Sequence, residues 1–218
     1  MRRSTGLSPA WPAALVLAGL LAGCATAPPP GAVTTFARTD CATTADLSAA
    51  ISLTPPKQKE KAVHTVVTPV KADTPCLRRE GTASPYVLYA LPADLHDKSV
   101  IVGGVLEAAR IVSPDVRLLD SRGAVVRTFP PTDYYYRGPV FSVQFTPRPG
   151  EAYVLVDIDP SRVGQRYDSI AIGTSTVSTY AAGATISWRS GVDTSQSRTF
   201  SYEGSVQATV FDSEVKKP

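Results

Sequence analysis

The 218-residue chain sets 22 Lys and Arg against 19 Asp and Glu, a formal charge of +3. That length suffices for one domain with its own core, and no basic stripe of the kind nucleic acid requires is present. Arg2 and Arg3 lie in an N-terminal segment expected to be removed, which leaves 20 basic against 19 acidic side chains and argues against a polyanion binder.

Those two arginines precede an apolar run from Ala10 to Ala22, broken only by Pro12 and Gly19, and then Gly23-Cys24. Charge, apolar core and small-residue site in that order form a secretory signal over residues 1–23. A run of about 13 residues is too short for a spanning helix, which needs roughly 20. Leu21-Ala22-Gly23-Cys24 resembles the lipobox, where a diacylglycerol is attached to the cysteine sulfur before cleavage. The mature chain then begins at Cys24, and several acyl chains on one residue hold far more firmly than the single chain that gives reversible binding. Ala25, where an aspartate would favour inner-membrane retention, points to the outer membrane, with the protein facing the periplasm.

Residues 24–38 contain Ala-Pro-Pro-Pro-Gly (27–31) and read as an extended, lipidated tether. Residues 39–80 form a short N-terminal element. Within it Thr43 to Ile51 predicts a short helix, with Thr43 and Asp46 as its capping pair and Pro55-Pro56 forbidding continuation. Lys57 to Lys61 is a charged connection. His64 to Val70 predicts a strand that Pro69 confines to a sheet edge. With Cys24 acylated, Cys41 and Cys76 are an even remainder, which an oxidising compartment joins as a disulfide; two separately buried thiols are the alternative.

From residue 81 to 212 the pattern is β. Tyr86–Leu91 and Ser99–Leu106 are rich in branched and aromatic residues. Val116–Asp120 and Ala124–Phe129 flank a Ser-Arg-Gly turn, a hairpin signature. Phe141, Val143 and Phe145 alternate with polar residues, and Pro147–Gly150 is expected to turn the chain into a partner strand, Ala152 to Ile158. Gly103-Gly104 inside an apolar strand suggests a bulge or kink. Residues 173–199, rich in Ser, Thr and Gly, are either a long hairpin or a loop, and 213–218 a tail. Short strands with hardly a helix predict a mainly β fold: an antiparallel β-sandwich or partly open barrel with one short N-terminal helix.

The middle of the chain resembles the maltose operon periplasmic protein family. The likeness rests on Ser84–Pro92, Ile111–Asp120, Thr128–Tyr136 and Glu151–Val156, then on Tyr180–Gly183 and Glu203–Val210, in that order and spacing. Residues 184–200 depart from the pattern. The resemblance implies an exported accessory or binding component of maltose and maltodextrin uptake, with a maltooligosaccharide as ligand. An envelope structural or assembly protein, working through protein contacts, is the alternative. The family supplies no catalytic residues.

No residue constellation demands catalysis. Asp157 and Asp159 share one face of a strand with alpha carbons about 6.7 Å apart, a spacing compatible with glycosidase carboxylates. The plainer reading is a solvated strand end compensated by Arg162 and Arg166. Tyr134, Tyr135 and Tyr136 are the candidate ligand-binding residues, because aromatic rings stack on sugar faces. The ordinary alternative sends alternate tyrosines into the core while the middle one covers the sheet edge. His64 and His96 lack zinc-ligand spacing. Ser175 and Ser178 lack the nucleophile-elbow context. The sequence calls for neither a metal nor a cofactor.

Overall fold

A computed structural model describes residues 27–55, 63–94, 97–181 and 184–212; along 169–177, 179–181 and 184–194 and at 212 only the backbone is described. The signal segment, Cys24, Lys57–Lys61, His96 and the 213–218 tail lie outside those residues. The described chain is mainly β, with 53% of residues in strands arranged as several antiparallel sheets and no closed barrel.

Among the described residues fourteen strands run in chain order: β1 (Ile51–Ser52), β2 (Val63–Val70), β3 (Cys76–Arg79), β4 (Thr82–Ala90), β5 (Lys98–Val105), β6 (Arg110–Val112), β7 (Pro114–Leu119), β8 (Val125–Thr128), β9 (Tyr135–Arg137), β10 (Val140–Phe145), β11 (Tyr153–Ile158), β12 (Arg166–Ala181), β13 (Ala184–Ser201) and β14 (Gly204–Asp212). The first sheet has the order β1-β4-β11-β7-β8, with β3 also paired to β4; the second is β2-β14-β5-β10-β9; the third is β12-β13-β6. Two of the pairings, β1 with β4 and β6 with β13, are parallel.

The first two sheets share one core. Tyr89, Val116 and Val156 from the first belong to the same buried cluster as Val102, Val143 and Ala208 from the second. This sandwich-like arrangement follows from period-two alternation, which gives each strand one apolar face to bury. The first sheet is buried on its other face too. There Tyr86, Leu88, Leu119 and Leu155 are covered by Ala45, Leu47 and Ala50 of the N-terminal segment. The disulfide Cys41–Cys76, with alpha carbons 4.8 Å apart, fastens that segment to β3.

Three expectations are corrected. The helix over 43–51 is a single 3-10 turn, Leu47–Ala49, capped by Asp46 rather than Thr43. The Tyr86 hydroxyl accepts from Asp46 N at 3.1 Å and Ala50 is extended, so Ile51 enters the sheet beside Tyr89 before a helix can propagate. Pro147–Gly150 does not make a hairpin. β10 pairs with β5 and β9, whereas β11 pairs with β4 and β7, so the turn carries the chain from one sheet to the other. Gly103 and Gly104 hold regular register and mark close approach, not a bulge. A Cβ on Gly103 would lie 2.0 Å from the Phe141 carbonyl oxygen, and one on Gly104 2.2 Å from that of Val112.

The expected tether also docks in part. Tyr202 N donates to the Val33 carbonyl at 2.8 Å, and the Phe36 and Tyr202 rings pack with centroids 5.5 Å apart. β2 is an edge strand, as Pro69 requires. Residues 173–181 and 184–199 lie in the paired strands β12 and β13, with continuous register from Arg166↔Thr199 to Ala181↔Ala184.

Candidate functional site

The three consecutive tyrosines divide by strand alternation. Tyr134 precedes β9 and turns inward, its hydroxyl accepting from Val116 N at 2.8 Å. Burial raises its phenol well above the usual range. Tyr136 stacks on Tyr167, centroids 4.0 Å apart and planes 14° from parallel, and packs against Phe141. Tyr135 alone faces outward, 60% exposed, with the Arg137 guanidinium 5.5 Å from its ring centroid. The structure therefore does not bring the three together as an exposed platform. Two rings are committed to an aromatic cluster with Phe141 and Phe200, and one remains for solvent.

The tempting carboxylates are separated as well. β11 ends at Ile158, and Asp159 lies in the following turn, its Oδ1 accepting from Ser161 N at 2.9 Å and Oγ at 2.6 Å. Arg162 pairs with it at 3.5 Å. Asp157 is not solvated; it is 4% exposed. Its cross-strand neighbour is Asp115 of β7.

A charged cluster surrounds that neighbour pair. Arg117 Nη1 donates to Asp157 Oδ2 at 2.8 Å, and Arg117 Nη2 donates to Asp115 Oδ2. Arg79 Nη1, from β3, donates to the same Asp157 oxygen at 3.3 Å. Among the described residues Asp157 Oδ1 has no hydrogen-bond partner. Burial, then the charges of Asp157 and Asp159, push the Asp115 carboxyl up to about 7. Burial also raises Asp157, against the pull of Arg117. A shallow cavity of about 210 Å³, bordered by Arg79, Thr82, Asp115 and Arg117, opens beside them.

Two carboxylates facing each other across a strand pair repel; the guanidinium shared between them makes the pairing tolerable. That guanidinium already contacts both carboxyl groups, as an attacking water or glycosidic oxygen would in a hydrolytic pair. As built, the cluster ties β3, β7 and β11 together. Sequence reasoning missed Arg79, Asp115 and Arg117. The signal for two of them was present: Asp115 and Arg117 alternate with Val116 and Leu118, placing both on the face opposite the core.

A wider cavity of about 770 Å³ lies between Leu91–Ala93 and Pro147–Tyr153. Its buried acid, Glu151, is already occupied, accepting from Arg127 Nη2 and from Arg148 N, each at 2.8 Å. Asp40 comes near the Cys41–Cys76 bridge, but the bridged sulfurs are no metal thiolates, and Asp40 pairs with Arg38 at 2.7 Å. His64 sits half-buried on β2, and Ser175 and Ser178 lie along β12.

No family model, curated protein or solved structure matches this chain.

Proposed function

We propose that the protein is an exported, non-catalytic envelope lipoprotein, acylated at Cys24 and facing the periplasm from the outer membrane. Its β-sandwich domain acts by binding, as an accessory component of maltose or maltodextrin uptake. The observation that carries the export is the Cys41–Cys76 bridge, because such bonds persist in oxidising compartments. It agrees with the secretory signal read over residues 1–23. The sugar role rests on the sequence resemblance and on Tyr135 with Arg137, one outward ring beside a guanidinium.

Mass spectrometry of the protein from its host tests the anchor: an acylated Cys24 at the mature N-terminus is expected, and an unmodified N-terminus refutes it. Calorimetry with maltooligosaccharides tests the ligand. Heat of binding that disappears in Tyr135→Ala is expected; absence of heat across a glucan series refutes the sugar role.

One observation favours a second reading, an assembly protein working through protein contacts. β2 is an eight-residue edge strand, and its outward Val63 and Val67 are 54% and 55% exposed. An edge with no further strand beside it among the described residues, as here, is a template for one more. Cross-linking to one defined envelope protein, combined with silent glucan calorimetry, would select this reading.

A further inference from the structure

The β12–β13 hairpin is longer than the body of the protein uses. Its base is anchored: Tyr167 stacks on Tyr136, Arg198 Nε donates to the Glu107 carbonyl at 2.6 Å, and Thr199–Ser201 pair with β6. From residue 169 to the tip β12 pairs only with β13, and no third strand joins either of them over that length among the described residues. About 13 residues of each strand extend this way, roughly 44 Å at 3.4 Å per residue. A two-stranded ribbon alone is marginal in water, so this one needs a partner or another solvent.

The register shows what kind. Between Ser169 and Ser197 the sequence has two charged residues, Arg189 and Asp193. They pair with Thr176 and Ile172, so both fall on one face of the ribbon. The other face carries no charge along its length: Val177 lies opposite Trp188, Ala181 opposite Ala184, Gly173 opposite Val192 and Ile186 opposite Thr179, with the small polar pair Ser175 and Ser190 between them and Ser169 opposite Gln196 and Ala171 opposite Thr194 toward the base. The charged face is otherwise mostly Ser and Thr, with Ile170 and Ile172 near the base and Tyr180 near the tip. One face without charge and one that carries Arg189 and Asp193, in strands longer than the 9–11 residues that cross a bilayer when tilted, match a membrane-spanning β-hairpin in length and in the segregation of charge.

We propose that the β12–β13 hairpin inserts into a lipid bilayer, its uncharged face toward lipid, and closes into a β-barrel with hairpins from further copies of this chain. Closure is required because an open sheet edge cannot persist in hydrocarbon. One copy supplies two strands, so the smallest barrel of about eight strands takes at least four copies. The polar face, with Arg189 and Asp193, lines the lumen. No helix among the described residues is long and apolar enough to cross a membrane, a criterion that does not bear on strands. This inference goes beyond the uptake role and holds whether or not a sugar binds.

The test uses the full chain purified from its host and reconstituted into phosphatidylethanolamine–phosphatidylglycerol vesicles. Single cysteines at Thr176, Val177, Ile186 and Ser187 carry an environment-sensitive fluorophore, with the unsubstituted protein labelled in parallel as background. Expected are blue-shifted emission and quenching by lipid-borne nitroxide at Val177 and Ile186, with iodide quenching retained at Thr176 and Ser187. Val177→Asp should abolish the lipid signal at position 186 while the thermal transition of the body stays unchanged. Equal iodide access at all four positions in vesicle-bound protein overturns the proposal and leaves the acyl anchor untouched. A protein that fails to co-float with vesicles overturns it as well. Chemical cross-linking should give a ladder ending at four or more copies; monomer alone overturns barrel closure.

Discussion

Asp157 of β11 lies directly across from Asp115 of β7, and the single guanidinium of Arg117 contacts both. The face of the sheet that carries them is closed elsewhere by the disulfide-held N-terminal segment. This ion cluster is therefore the charged part of an otherwise apolar second core.

Its first consequence concerns pH. The folded Asp115 carboxyl is raised to about 7, whereas the unfolded chain releases that proton near the ordinary value of about 4. Between these limits the folded state binds more protons, so stability falls as pH rises from about 4 to 7. The raised Asp157 acts with the same sign. Thermal midpoints should drop across this window by an amount equivalent to about 1–2 kcal/mol after solvent screening. Asp115→Asn should flatten the slope; an unchanged slope would contradict the assignment.

Removing the shared cation should be worse than removing an acid. Arg117→Met leaves two facing carboxylates with Arg79 alone, and breaking a buried pair in this way costs about 3–5 kcal/mol. The loss should be larger at pH 7.5 than at pH 4.5, where Asp115 holds its proton. Denaturant midpoints at the two pH values check this.

The disulfide closes a loop with a sequence separation of 35, for which the chain-entropy model gives about 3–4 kcal/mol. A Cys41→Ser/Cys76→Ser double variant should lose about that much in urea. Reductant should lower the midpoint of the parent and leave the variant unmoved.

The tyrosines should separate by role. Tyr135→Ala should change stability by less than about 0.5 kcal/mol, as exposed substitutions do. Tyr136→Ala removes a stacked ring against Phe141 and Tyr167 and should cost about 2–3 kcal/mol. Equal thermal midpoints for the two variants would contradict the alternation.

Gly103→Ala should cost about 3 kcal/mol, at the upper end of overpacking, because its Cβ meets the backbone of β10 rather than a side chain able to move. Thermal unfolding of the variant checks this.

Strands were legible in this sequence where alternation is local: Phe141, Val143 and Phe145, or Val154 and Val156, declare themselves. Which sheet each joins was not. β10 and β11 read as a hairpin because turn residues describe only the local bend, whereas partners are chosen by burial between segments far apart. The charged cluster failed for the same reason: Arg79 and Asp157 are 78 residues apart. The helix expected at 43–51 shows local propensity overridden, since Tyr86 and β4 compete for the same backbone. At the tyrosines, alternation alone anticipated the arrangement found.

On its way in, the N-terminal segment docks where Val33 and Phe36 lie against Tyr202 and is then bonded covalently at the Cys41 bridge. A pull on the N-terminus therefore peels a handful of residues like a zip and stops at a covalent rivet. Beyond that point tension passes into β3 and β4, in the middle of the chain, and spares the strands that carry the long hairpin.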